Sequence, residues 1–117
     1  MTTHYMKLNA APFQKIACGQ KTIELRLNDE KRRAVKIGDV IVFSNCTKPN
    51  ETICTKVIQL HHFADFNALY KALPLDKCGY LPEELHTAAP QDMETCYSVE
   101  RQKQYGVLGI EIALIQT

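Results

Sequence analysis

Three charged residues in the stretch GQKTIELRLNDEKRR, residues 19–33, have the types and spacing that could do chemistry: Lys21, Glu24 and Arg26. If the stretch is a strand, Glu24 and Arg26 lie on one face about two residue rises apart and can form an ion pair. A lysine converging on that carboxylate at the strand mouth would hold an anionic group while the carboxylate acts as a general base, since burial and proximity tune both. The alternative is an exposed ion pair that contributes little to stability. The spacing alone leaves both interpretations open.

The same stretch alternates apolar and polar side chains, which is typical of a half-buried strand. One face holds Ile23, Leu25 and Leu27, and the other holds Thr22, Glu24, Arg26 and Asn28. Lys21 has the opposite parity to Glu24, but it lies in the turn after Gly19, so strand alternation does not fix its direction. The polar face is therefore either simply exposed to solvent or part of the wall of a ligand-binding site.

A second candidate region is the run DEKRR, residues 29–33, read as a charged loop in which Lys31, Arg32 and Arg33 could contact phosphates. The alternative is a loop that is merely solvated. Tyr97 and Tyr105 flank the last helical segment beside basic residues, which suits base stacking, although packing would explain either tyrosine taken alone.

The histidines and cysteines do not indicate a metal or redox centre, and we expect no cofactor. His61 and His62 are adjacent in a predicted strand and must face opposite sides, and no His-x-x-x-His spacing is present. The five cysteines are an odd number without a Cys-x-x-Cys pair, which predicts free, reduced thiols. Cys54 and Cys96 fall in apolar-rich segments and are predicted to be buried as small hydrophobic residues.

Length and composition predict one domain of 117 residues, large enough to form a core without disulfides or metals. No apolar run approaches the roughly 20 residues that span a bilayer, and no secretory signal is visible, so we expect a cytoplasmic protein that does not bind membranes. Up to Lys56 there are ten Lys and Arg against five Asp and Glu, and from Val57 onward four against eight, giving the halves +5 and −4. The basic half suggests an anionic ligand, and pairing with the acidic half is an equally good explanation.

The remaining pattern predicts strands at residues 4–8, 22–28, 40–43, about 53–63 and 107–115. It predicts a short helix between Pro12 and Gly19, a second capped by Asp65 and stopped by Pro74, and two helical pieces within residues 82–104, the later one capped by Ser98. The elements do not alternate as βαβ units, which favours an α+β fold, a small mixed barrel. Its predicted core is Phe13, Ile16, Leu25, Phe43, Phe66, Leu69, Ile110 and Ile112.

With these elements in order, PFQKIACGQKTIELRLNDEKRRAVKIGDVIVF resembles the signature of ASCH domains, the activating-signal-cointegrator homology family. Its hallmark, G-x-K-x-x-E-x-R after a short helix, is matched here by Gly19, Lys21, Glu24 and Arg26. The Gly38-Asp39 turn, the Asp92-Met93 region, TCYSVERQKQYG and the closing YGVLGIEI also resemble small stand-alone bacterial members. The likeness covers nearly the whole chain.

The resemblance implies a PUA-like β-barrel of about five to six strands, with short helices over a cleft. It implies RNA or a modified nucleotide or nucleoside as the partner. It places the face of Thr22, Glu24 and Arg26 in the cleft, with Lys21 at the rim.

The resemblance also raises the possibility of catalysis. Some small bacterial relatives are hydrolases that remove an acyl group from acetylated cytidine with a lysine, a threonine and a glutamate. Lys21 matches the lysine, but Glu24 stands where they have the threonine, and Gln91 or Asp92 stands near their glutamate.

Other groups could replace the missing hydroxyl: Glu24 could activate a water, or Thr22 or Ser98 could supply an oxygen. Ribonuclease activity, suggested for other relatives, would use Glu24 as base with Lys21 and Arg26 stabilising the transition state. Three hypotheses follow: an RNA- or nucleotide-binding module, which we favour, a small hydrolase of nucleosides or RNA, and a protein-interaction domain in transcription or translation regulation. The sequence does not indicate the oligomeric state.

Overall fold

The chain folds into one curled sheet with short helices around it. The structure, a computed structural model, describes residues 1–115. The strands are β1 (Thr3–Leu8), β2 (Ile23–Leu27), β3 (Val40–Asn45), β4 (Thr52–Phe63) and β5 (Val107–Leu114). The helices are α1 (Ala10–Ala17), α2 (Glu30–Arg33), α3 (Phe66–Ala72) and α4 (Val99–Tyr105), with two 3₁₀ helices, Pro82–Thr87 and Pro90–Thr95, between α3 and α4.

The sheet has five strands in the order β1-β3-β4-β5-β2. β1 and β3 are parallel, and the remaining neighbours are antiparallel. The first two strands of the chain therefore form opposite edges, which the curl of the sheet brings together. Arg26 Nη2 of β2 donates to the Lys7 carbonyl oxygen of β1 at 2.9 Å. The predicted α+β, PUA-like fold is confirmed, with the sheet forming a half-barrel.

Side-chain caps explain where several helices begin. The Asp65 carboxylate accepts from Ala68 N at 2.9 Å, and Ser98 Oγ caps α4, as the sequence predicts. The prediction of a loop at residues 29–33 is wrong, because Asp29 Oδ1 accepts from Arg32 N at 3.1 Å and starts the short helix α2. The segment predicted as two helical pieces is three, since two 3₁₀ helices precede α4.

The core confirms the predicted apolar faces. All eight residues predicted for it are buried. The prediction for Cys96 is wrong: it is exposed, because it ends the second 3₁₀ helix, and Cys54 is only partly buried. Cys78 is the buried thiol among the free cysteines. Within residues 1–115, no helix has the length and apolarity needed to cross a membrane.

Candidate functional site

A cleft of about 390 Å³ opens between the sheet edge and the helical segments. Lys21, Glu24 and Arg26 lie on one side of it, beside the end of β1 and the start of α1. Tyr70 and several residues of the segment between Cys78 and Tyr97 also line it. The volume is within the range of about 300–1,000 Å³ that is typical of small-molecule sites.

The cleft floor is a buried ion-pair triad. Glu24 is only 3% exposed. Lys21 Nζ lies 2.8 Å from Glu24 Oε1, and Arg26 Nε donates to Glu24 Oε2 at 2.8 Å. The Leu25 backbone N–H also donates to Oε1, at 3.3 Å. The Glu24–Arg26 pair allowed by strand spacing is therefore present and buried, with Lys21 as its third member.

The two cations keep the central carboxylate charged. Burial raises the pKa of Glu24, but the charges and hydrogen bonds of Lys21 and Arg26 outweigh it and lower the pKa below its ordinary value. Burial likewise opposes the charge of Arg26, and Glu24 is the main group that raises the pKa of Arg26. Two cations and one anion leave the cleft floor with a net charge of +1.

The free hydrogen-bonding capacity of the triad is on its cations. Glu24 already accepts from Lys21, Arg26 and the Leu25 backbone. An ammonium has three donors and a guanidinium five, of which Lys21 uses one on Glu24, and Arg26 uses Nε on Glu24 and one N–H of Nη2 on the Lys7 carbonyl. The triad therefore offers N–H donors to a ligand oxygen, and Glu24 orients those donors.

Gly79 gives the Lys21 side chain room. It has φ of +113°, and a Cβ there would lie 3.2 Å from Lys21 Cδ. Lys15 Nζ donates to the Gly79 carbonyl oxygen at 2.7 Å, which holds this loop against α1. Neighbouring Cys78 is buried, which raises the pKa of its thiol to about 11 and makes the thiolate scarce at neutral pH.

Three tyrosines line the cleft, and two of them, Tyr70 and Tyr80, belong to a hydrogen-bond chain that the sequence did not indicate. Tyr70 Oη and Tyr80 Oη are 2.7 Å apart, and Tyr80 Oη donates to Asp92 Oδ2 at 2.7 Å. Burial raises the pKa of both phenols. Tyr97 also lines the cleft and stacks on Phe66 with a centroid distance of 6.1 Å. The role in ligand binding predicted for Tyr97 stays a prediction.

Thr22 lies outside the cleft, in a separate hollow of about 260 Å³ that also borders Lys21. β2 begins at Ile23, and the N–H groups of Thr22 and Ile23 both donate to the Lys77 carbonyl oxygen, at 2.9 and 3.0 Å. Thr22 thus lies just before β2, although its carbonyl oxygen still accepts from Ile112 N of β5 at 2.9 Å. Ser98 is likewise not a lining residue, since its exposed hydroxyl accepts from Arg101 N at 3.2 Å. Neither hydroxyl is placed to replace the missing threonine.

The basic run also lies outside the cleft, on a neighbouring surface. Arg32 pairs with Asp29 at 3.4 Å, and Lys31 is exposed. The guanidinium carbons of Arg33 and Arg101 each lie 6.0 Å from the centre of the Tyr105 ring. We call Lys31, Arg33, Arg101 and Tyr105 the basic ridge.

Two of the four histidines lie within hydrogen-bond distance of a carboxylate. His4 Nε2 lies 2.8 Å from Asp39 Oδ2, and His61 Nε2 lies 3.1 Å from Glu111 Oε1. Among residues 1–115, no group of three or more His, Cys, Asp or Glu side chains could hold a metal ion.

Comparison with known proteins identifies the family to which the chain is similar. The ASCH domain model matches residues 6–116. Among solved structures, hypothetical protein PH0355 is 31% identical with a TM-score of 0.79, covering 98% of this chain and 100% of its own. Protein PF0455 from Pyrococcus furiosus is 28% identical with a TM-score of 0.71, covering 98% and 99%.

The ASCH protein from Zymomonas mobilis shares the fold, with a TM-score of 0.65 at 13% identity, over 95% of this chain and 66% of its own. A search of curated protein sequences gave no significant match. The family model covers the cleft-lining residues, the G-x-K-x-x-E-x-R stretch and all of the sheet except the first three residues of β1. The chain belongs to the ASCH domain family.

Proposed function

We propose that the chain binds single-stranded RNA and places one nucleobase in the cleft. The observation that carries this proposal is the pair of cationic donors, Lys21 and Arg26, held at the cleft floor by buried Glu24. Such donors suit the carbonyl oxygens of a base or the oxygens of a phosphate. ASCH domains are generally RNA-binding, PUA-like domains, which agrees with this chemistry.

The aromatic rings that line the cleft are evidence that its ligand is a nucleobase. Tyr70, Tyr80 and Tyr97 line the same cleft as the triad. Stacking of a base on an aromatic ring contributes about 1–3 kcal/mol, and it tolerates different bases because each has a π face. A cleft lined by both cationic donors and aromatic rings fits a planar, oxygen-bearing ligand.

The basic ridge would contact the phosphates on either side of that base. Its cations surround Tyr105, whose ring holds Arg33 and Arg101 by cation–π contacts. In this arrangement Tyr105 orders the two guanidiniums, so its role differs from the base stacking predicted for it. Phosphate contacts of this kind position a strand without reading its sequence.

The geometry supports binding over hydrolysis. Glu24 replaces the hydroxyl residue of the hydrolases, and its lowered pKa and three donors make it a weak base. Incubation with N4-acetylcytidine should therefore release no acetate above background. Turnover that disappears in Lys21→Met would instead establish the hydrolase.

The direct test is fluorescence anisotropy with a labelled single-stranded RNA octamer, competed by nucleoside monophosphates. Lys21→Met should weaken binding roughly 10- to 100-fold, the loss expected for a hydrogen bond from a charged group. Lys56→Met, at an exposed position on β4, is the matched control and should bind as the wild type does. No RNA binding by the wild type would reject the proposal and favour the protein-interaction hypothesis.

A further inference from the structure

The chain of Tyr70, Tyr80 and Asp92 has a fixed proton order. Tyr80 Oη donates its only proton to Asp92 Oδ2 at 2.7 Å. An ionised carboxylate has acceptors and no donor. The same Asp92 oxygen also accepts from Ala89 N at 3.2 Å, which again uses it as an acceptor. The Tyr80 proton is therefore committed to Asp92.

The direction of the Tyr80 hydrogen bond determines whether the Tyr70 hydroxyl donates or accepts. Tyr70 Oη lies 2.7 Å from Tyr80 Oη, and one of the two must donate. Since the Tyr80 proton is already used, Tyr70 is the donor, and its own proton points away from any ligand. Tyr70 is 9% exposed and lines the cleft. Its oxygen keeps a lone pair and has no proton left to offer.

We infer that Tyr70 Oη is a dedicated hydrogen-bond acceptor that selects a ligand N–H. The inference rests on the proposed function and narrows its ligand class. Lys21 and Arg26 offer donors to a ligand oxygen, and Tyr70 offers an acceptor to a ligand nitrogen. The fitting class is a nucleobase that has both a carbonyl oxygen and an N–H, as uracil, guanine, hypoxanthine and cytosine do. Adenine has an N–H but no carbonyl oxygen, so it does not belong to this class.

Tyr80 and Asp92 act through Tyr70 as positioning residues. Replacing Tyr80 by Phe leaves the Tyr70 ring in place but removes the group to which its hydroxyl donates. The Tyr70 hydroxyl is then free to turn and donate to a ligand acceptor. Tyr80→Phe should therefore relax the preference for N–H, whereas a steric preference would survive it.

The test compares affinities for pairs of nucleoside 5′-monophosphates whose bases differ by N-methylation: those of uridine and 3-methyluridine, of inosine and 1-methylinosine, and of cytidine and N4,N4-dimethylcytidine. The wild type should prefer the unmethylated member of the pair that binds best by roughly 5- to 100-fold, because a methylated ligand leaves the acceptor unpaired. In Tyr80→Phe that ratio should fall several-fold. Tyr5→Phe, at an exposed tyrosine of β1, is the matched control and should keep the wild-type ratio.

A ratio near one in the wild type, or an unchanged ratio in Tyr80→Phe, would overturn the acceptor role of Tyr70 while leaving RNA binding intact. A ligand-free measurement tests the proton order separately. NMR of the tyrosine hydroxyl protons should show the Tyr80 proton protected from exchange and released in Asp92→Ala. If that protection is seen but no nucleotide or RNA binds, the proposed function and the ligand class fail together. If the proton runs from Tyr80 to Tyr70, the acceptor inference fails whatever binds.

Discussion

Two buried carboxylates, Glu24 and Asp39, are stabilised by different kinds of donor. Glu24 is held mainly by two side chains, Lys21 and Arg26, that also line the cleft. Asp39 accepts from His4 Nε2 at 2.8 Å and from two backbone N–H groups, those of Thr2 at 3.1 Å and Lys36 at 3.0 Å.

The difference separates a structural site from a binding site. The donors of Asp39 belong to the start of β1 and the turn before β3, so its hydrogen bonds fix two backbone segments to each other. The donors of Glu24 are two cationic side chains, each of which has several N–H groups and keeps some of them free for a ligand in the cleft. Burial of a carboxylate therefore indicates a ligand site only when its partners retain free donors.

The largest effect should come from Glu24→Ala, which tests whether the triad also stabilises the fold. The change leaves Lys21 and Arg26 as two partly buried like charges, and breaking a buried pair in this way costs about 3–5 kcal/mol. Urea unfolding should show that loss in the free energy of unfolding, together with loss of RNA binding. Glu83→Ala, at an exposed carboxylate of the first 3₁₀ helix, is the control. An unchanged unfolding midpoint would show that the triad contributes no more to stability than an exposed surface ion pair does.

A smaller effect, on stability alone, is expected for Asp39→Asn. The hydrogen bond from His4, then those from Thr2 and Lys36, lower the pKa of Asp39 from 3.8 to about 2. A lowered folded-state pKa gives stability that is present above pH 3.8 and is lost as the pH falls toward 2. The wild type should lose this stability over that range in thermal melts, and Asp39→Asn should lack this part of the pH dependence.

RNA affinity at neutral pH separates the two carboxylates. Asp39→Asn should bind RNA with the wild-type affinity, since none of the partners of Asp39 lines the cleft. The pKa of Glu24 is also lowered, so a second acid-sensitive contribution should remain in this variant. Weakened RNA binding in folded Asp39→Asn would contradict a purely structural role.

The smallest effect per residue is expected from the exposed charges of the basic ridge. Lys31→Ala and Arg33→Ala should each flatten the plot of log affinity against log salt by about 0.7, the slope that one neutralised phosphate contributes on a single strand. Binding of a lone nucleoside should not change, because the ridge lies outside the cleft. Equal salt slopes in the double variant and the wild type would exclude the ridge as the phosphate surface.

The sequence predicts contacts that follow from local periodicity. Glu24 and Arg26 are two residues apart on one strand, so alternation is enough to predict their pairing. The direction of Lys21 depends on a turn and on space left by Gly79, which strand periodicity does not describe. Alternation puts Thr22 beside Glu24 only if the strand includes Thr22, and β2 begins one residue later, at Ile23.

Contacts between distant segments could not be predicted from periodicity. Tyr70, Tyr80 and Asp92 lie on α3, the following loop and the second 3₁₀ helix, and their hydrogen bonds depend on how these segments pack. The helical spacing of Tyr70 predicts a packed helix face but not the partner of its hydroxyl. Cys96 shows the same limit, since a residue with apolar neighbours in the sequence lies at an exposed helix end.

The bond from Arg26 to the Lys7 carbonyl joins the two edges of the sheet, β2 and β1. β1 and β2 are not hydrogen-bonded neighbours in the sheet, so this bond is a direct link between its two edges. A ligand that engages Arg26 and the end of β1 would then hold the edges together. Bound ligand should therefore slow amide hydrogen exchange along Thr3–Leu8, which makes β1 a reporter of whether the cleft is occupied.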